Sequence, residues 1–382
     1  MNKRLLVIIG VILILLLVLV AVFTGRRESD TIKIGTIMSM SGVVSHYGIQ
    51  TRDAIQMAID EINAEGGVLG KKVELLAEDD EKNPEKTMNA LIKLATKDKV
   101  PAIIGALTSD CTLAITKEAQ QRNVLLLTPT STNDAVTDAG DLIFRSCFKD
   151  SFQGSIVARF SIETLGAQKA AILYDMNNDY SVGLTKAFQE TFESLGGQLV
   201  AIESYAGGDK DFNAQITKIK AADPDVLFIP DYYSTISLVI KQVRNQGLDV
   251  TMLGADGWDE LTGQAGDEAI GSYYSNHYSP DADDPDVQEF VRKYRERFNV
   301  TPNALAVLGY DATYILLEAM ERAGTTDPQK VKVALMETDR KFVTGHIKFD
   351  EQRNPVKSVT MLRIVKGEDG KLATEYVGLV NP

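Results

Sequence analysis

Three short loops concentrate the polar side chains that could hold a small molecule. In GALTSDCTLAI (105–115), a strand-like run ends at Gly105, and Thr108, Ser109 and Asp110 stand ahead of an apolar-periodic helix. Spacing alone favours a helix cap, the usual place for Ser, Thr and Asp. The same residues can also capture a carboxylate, through the Ser109 hydroxyl and the free N–H groups of the helix start. In LTPTSTNDAV (127–136), Pro129 sets a turn, and Thr130, Ser131 and Thr132 offer hydroxyls and backbone N–H groups. Turn chemistry explains these residues equally well. In LGADGWDE (253–260), Asp256 lies just past a strand end between Gly254 and Gly257. It is either a turn aspartate or a ligand-facing carboxylate.

Signals for other chemistry are weak. Ser39-Met40-Ser41-Gly42 lacks the GxSxG elbow of a nucleophilic serine, and no Walker loop or GxGxxG occurs. The three histidines, His46, His277 and His346, are scattered and read as solvent-facing or packing residues. The acidic run 78–81 could attract a cation but reads as a solvated strand end. Two cysteines are too few for a disulfide scaffold or a Cys/His metal site. Cys111 and Cys147 would pair only if the fold brings them within reach. A net charge of −13, from 40 basic and 53 acidic residues, argues against nucleic acid. These readings predict a protein that is not an enzyme and that needs no cofactor or metal.

The elements that must position the loops alternate along the chain. Strand-like runs fall at 73–76, 102–104, 124–127, 170–174, 199–203, 226–229 and 251–253. Helical patterns lie between them, such as Leu184, Ala187, Phe188, Thr191, Phe192 and Leu195. The opening segment, 32–67, reads as strand, Ser/Gly loop and helix. Ile55, Ala58, Ile59 and Ile62 form that helix's buried face, and the free N–H groups at its start could dock an anion. Such alternation predicts an α/β fold of parallel sheets with helices on both faces, binding ligands beyond the strands' carboxyl ends. The runs 32–145 and 170–278 suggest two similar lobes, and 359–365 with 376–380 suggests a terminal hairpin. Residues 5–23 carry no charge and as a helix would span about 28 Å, close to a bilayer core. They read as a membrane anchor, since no convincing small-x-small cleavage site follows.

Residues 32–67 resemble the first strand, loop and helix of the type I periplasmic binding proteins of the branched-chain amino-acid class. INAEGGVLGKKVELLAEDDEKNPEK (62–86), DKDFNAQITKIKAADPDVLFIP (209–230), LGYDATYILLEAM (308–320) and TGHIKFDEQRNP (344–355) extend the resemblance over nearly all of 32–382. It implies two Rossmann-like lobes joined by a three-crossing hinge. Lobe one would be 31–149 with 279–348, and lobe two 150–278 with 349–382, after a 1–30 anchor and linker. It reverses the balance at Ser109, which falls where the family holds the ligand carboxylate. Thr130 would act through its backbone and Thr132 through its side chain on the carboxylate and amino group. Asp256 would pair with the ligand ammonium, where some relatives carry Glu. Tyr47, Tyr180, Tyr232 and Tyr310 would line the cleft, and Trp258 either touches the ligand or packs in the core. The implied function is extracytoplasmic capture of an amino acid, branched-chain or otherwise hydrophobic, by hinge closure of a monomer, for delivery to an ABC transporter permease. The alternative is a ligand-sensing receptor domain of the same fold.

Overall fold

The computed structural model describes residues 31–381. The first sheet is wholly parallel, in the order β2-β1-β3-β4-β5. Its strands are β1 (Thr31–Met38), β2 (Lys72–Asp79), β3 (Ala102–Gly105), β4 (Leu125–Thr128) and β5 (Ile143–Arg145). β3 and β4 read AIIG and LLLT and are buried throughout. Continuous apolar strands are what a sheet covered on both faces requires. The covers include α1 (Ser45–Ala64), α2 (Pro84–Ile92) and α3 (Ser109–Gln121).

From β5 the chain passes to a second sheet, entering it through α4 (Asp150–Glu163). That sheet takes up β6 (Lys169–Asp175), β7 (Gln198–Tyr205), β8 (Val226–Phe228), β9 (Thr251–Gly254) and β10 (Tyr273–Asn276). The helices between them are α5 (Asp179–Ser194), α6 (Asn213–Ala222) and α7 (Tyr233–Asn245). After β10 the chain returns to the first sheet's side with α8 (Pro285–Phe298), α9 (Ala304–Ala323) and α10 (Pro328–Met336). α9 lies against α1, and closely: a Cβ on Gly309 would sit 2.7 Å from the Thr51 methyl and 3.1 Å from the Thr51 carbonyl. A two-stranded hairpin of β11 (Asp339–Phe342) and β12 (Gly345–Lys348) follows. The chain then crosses a third time, to β13 (Val359–Lys366) and β14 (Leu372–Val380). These two complete the second sheet as the antiparallel terminal hairpin that the sequence predicts.

Side chains tie the first and third passages together. The buried Arg145 guanidinium donates to the carbonyls of Ser131, Thr132 and Asp134. Arg353 donates to the carbonyls of Ile143 and Thr137, and Lys357 to Ser146 O and Thr344 Oγ1. Burial holds the Lys357 ammonium down at about 8, with the Asp311 carboxylate opposing that shift.

The serine loop after β1 is held by the neighbouring acidic run. Met40 N donates to Asp79 and Ser39 Oγ to Asp80, which is itself buried and also takes the Thr87 hydroxyl. Asp79 and Asp80 thus brace the serine loop, while Asp79 and Glu81 remain exposed to solvent. Cys111 and Cys147 are both buried free thiols. Burial pushes Cys147 up to about 12, and its thiol donates weakly to Ser131 O at 3.4 Å. The apolar stretch at 5–23 lies outside the described residues. Among the described residues no helix is long and apolar enough to cross a membrane.

Candidate functional site

The carboxyl ends of both sheets meet at a narrow cavity. Its walls come from Tyr47, Leu107, Thr108, Ser109, Thr130, Tyr180, Tyr232, Asp256, Gly257 and Leu305. Strands β3 and β4 stop side by side on the first sheet, so the loops after them share one edge. That register sets the Thr130 hydroxyl on Leu107 O, at 2.5 Å. Ser109 opens α3, and its Oγ accepts from Asn133 N at 3.3 Å. Thr108, the residue ahead of the helix, makes no side-chain cap, and its buried Oγ1 has no hydrogen-bond partner. A buried hydroxyl without a partner is costly, and a ligand oxygen removes that cost. The first turn of α3 thus offers uncapped N–H groups and two hydroxyls to an anion.

The facing wall supplies a negative charge. β9 ends at Gly254, and a single 3-10 turn, Asp256–Trp258, aims the Asp256 carboxylate into the cavity. Tyr180, in the first turn of α5, donates to Asp256 Oδ1 at 2.7 Å and accepts from Gly257 N at 2.8 Å. Burial and the nearby Asp256 push the Tyr180 phenol far above its ordinary range, so it remains a donor. Tyr232 stacks on Tyr180 with ring centroids 5.0 Å apart. On the other oxygen, His277 Nε2 lies 3.1 Å from Asp256 Oδ2. Burial lowers the His277 imidazole below its ordinary value, although its bond to Asp256 opposes this. The ring is therefore neutral near pH 7. Because a carboxylate only accepts, Nε2 carries the proton.

A latch closes the rim. The Tyr47 hydroxyl is shared between Gly257 O (2.9 Å) and Asp259 O (2.6 Å). Gln50 and Asn303 both donate to Glu260, and Ala304 N, at the start of α9, donates to Asp259 Oδ2 at 2.6 Å. The cavity behind this latch measures about 20 Å3. That is room for about one water, so a larger ligand enters only when the walls part.

The latch should respond to pH. Burial, and secondly Glu260, push the Asp259 carboxyl up to about 7 from 3.8. A carboxyl held above its free value takes up a proton on folding. Its contribution to the folded form is full below about 3.8 and is lost as pH rises through about 7. Asp259→Asn should flatten this limb. The check is the thermal midpoint of both proteins from pH 5 to 8; an unchanged slope in the variant would assign the limb to another group.

The structure sorts the sequence-predicted residues. Tyr47, Ser109, Thr130, Tyr180, Tyr232 and Asp256 all reach the cavity. Thr132 does not line it. Its carbonyl is taken by Arg145 and by Asp150 N, both at 2.8 Å, and its hydroxyl sits beside the buried Asp150 carboxyl. Trp258 turns away entirely. Its fully buried indole donates to Ile229 O at 2.8 Å and stacks on Tyr274. Tyr310 also lies elsewhere, with its hydroxyl on Glu61. Leu305 faces the cavity, and five residues turn a helix by about 140°, so Tyr310 points to another side. Sequence reading missed Leu107, Thr108, Gly257 and Leu305 as wall residues, and it read His277 as a solvent-facing or packing residue, without its bond to Asp256. Leu107 and Thr108 adjoin the chosen Ser109, and Gly257 adjoins Asp256, so loop position could have found them. Leu305 and His277 lie far away along the chain.

Known proteins give this geometry a family. The periplasmic binding protein family matches residues 31–371. The leucine-, isoleucine-, valine-, threonine- and alanine-binding protein of Pseudomonas aeruginosa is 31% identical over 328 residues, covering 85% of this chain and 87% of its own. The leucine-binding protein LivK of Thermotoga maritima superposes with a TM-score of 0.86 at 35% identity, over 92% of this chain and 99% of its own. LivJ of Streptococcus pneumoniae, a branched-chain amino-acid transporter substrate-binding protein solved with isoleucine, gives 0.85 at 33% identity, over 92% and 100%. Two sheets rich in parallel strands, a closed cavity between their carboxyl ends and matches over nearly the whole described length agree: the chain belongs to the periplasmic binding protein family.

Proposed function

We propose that this protein captures an α-amino acid with an aliphatic side chain outside the cytoplasm and delivers it to an ABC importer. One observation carries the ligand class. An anion cradle at the start of α3 stands across a narrow cavity from the buried Asp256 carboxylate. Cradle and carboxylate suit the two ends of an amino-acid zwitterion. Leu107 and Leu305 supply an apolar wall for a side chain. The names of the Pseudomonas, Thermotoga and Streptococcus relatives support the aliphatic choice.

The mechanism is closure of two lobes, 31–149 with 279–348 and 150–278 with 349–382. Ligand docks first on the Ser109–Thr130 wall. The second lobe then brings Asp256, Tyr180 and Tyr232, and the latch at Asp259 and Glu260 forms. Ligand contacts made only in the closed form shift the population toward it. The body acts as a monomer tethered by residues 5–23, and the permease reads the closed shape. The protein binds without turnover, as expected of a member of a substrate-binding family. Calorimetric titration of the full chain in detergent, after unfolding and refolding to strip bound ligand, tests this. Saturable binding of leucine, isoleucine or valine supports it. Binding of none of the standard amino acids would refute it.

A further inference from the structure

We propose that His277 is the positioning residue of this site, holding the Asp256 carboxylate toward the ligand and joining it to the hinge. The proposal rests on the amino-acid reading of the cavity. His277 follows β10 directly, where the chain makes its second passage between the sheets. Its side chain is wholly buried. One edge meets Asp256 Oδ2, and one face stacks on Phe148, with centroids 3.7 Å apart and planes 16° apart. Phe148 lies in the first passage, between β5 and α4. A single imidazole therefore ties the ligand-facing carboxylate to two of the three passages. With Tyr180 on Oδ1, both carboxylate oxygens are held and the group cannot rotate.

The other ring nitrogen, Nδ1, is buried without a hydrogen-bond partner. The charged groups facing the ring are Asp256 and, from the third passage, Lys357. A proton on Nδ1 would find no acceptor and would add a second cation near Lys357. It would also draw Asp256 away from the ligand ammonium. Burial lowers this ring, so His277 makes ligand affinity fall only on the acid side of the ordinary imidazole range. This runs opposite to Asp259, so only variants of His277 isolate it.

The test compares two substitutions in the full chain. His277→Phe keeps a ring on Phe148 and loses the donor. Leucine affinity at pH 7.5 should weaken by about tenfold or more, with the thermal midpoint nearly unchanged. His277→Gln restores a donor that does not titrate. It should bind within about threefold of the parent and lose the histidine-dependent fall in affinity at acid pH. Parental affinity in His277→Phe, or an unchanged acid limb in His277→Gln, would overturn the proposal. A 15N spectrum of the imidazoles in ligand-free protein reads the same contact without any amino acid. A neutral Nε2–H tautomer at pH 7 is expected, and an Nδ1–H tautomer or an imidazolium would overturn the proposal. If no amino acid binds while the Nε2–H tautomer is found, the ligand reading fails and the His277–Asp256 contact stands.

Discussion

Asp256→Ala is expected to abolish useful amino-acid binding, weakening it by about 30- to 5,000-fold. The range follows from the roughly 2–5 kcal/mol lost when one partner of a buried charge pair is truncated. The walls leave little space for water, so the ligand ammonium would be buried without its counter-charge. The substitution also strands two donors, the Tyr180 hydroxyl and His277 Nε2–H, which now serve Asp256. Asp256→Asn separates these effects. It keeps an oxygen acceptor for one donor and removes the charge, so most of the loss should remain. Titration calorimetry with leucine measures both, with circular dichroism to confirm the fold. A loss below about threefold in Asp256→Ala would show that the ammonium is neutralised elsewhere.

Trp258→Ala should have the largest effect on stability, about 3–5 kcal/mol, typical of truncating a large buried aromatic. The indole is fully buried between the strand ends of the second sheet and stacks on Tyr274. Gly254 makes room for it: a Cβ there would lie 2.1 Å from the ring. Losing the indole N–H also leaves Ile229 O without that donor. The same short turn carries Asp256, so ligand affinity should fall as well, as a consequence of a loosened turn. Urea unfolding followed by circular dichroism gives the free energy. A change under about 1 kcal/mol would mean that the indole contributes little to the core.

The architecture was largely legible because its strands are apolar runs with clear stops. The seven expected strands all form, from 73–76 in β2 to 251–253 in β9. The short β5 and β10 were not read. IFR is three residues long, and YYSN is part polar, so neither gives a usable period. Loop position at the strand ends located Ser109, Thr130 and Asp256, because parallel sheets bring those loops to one edge. What failed was side-chain direction. Trp258 is two residues from Asp256, yet one 3-10 turn sends them to opposite sides. Tyr310 has the right helix and the wrong face. Asn276 and Tyr278 flank a histidine with no motif around it, so nothing local links His277 to Asp256, 21 positions earlier.

The most direct measurement is a paired titration of the ligand-stripped protein with leucine and with 4-methylpentanoate, which is leucine without its amino group. Asp256 opposite the α3 cradle predicts saturable leucine binding, and binding of the amine-free acid weaker by at least about 30-fold. Equal affinity for the two would contradict the central claim, because it would mean that the cavity reads the carboxylate and side chain while the Asp256 carboxylate does no work on the ligand.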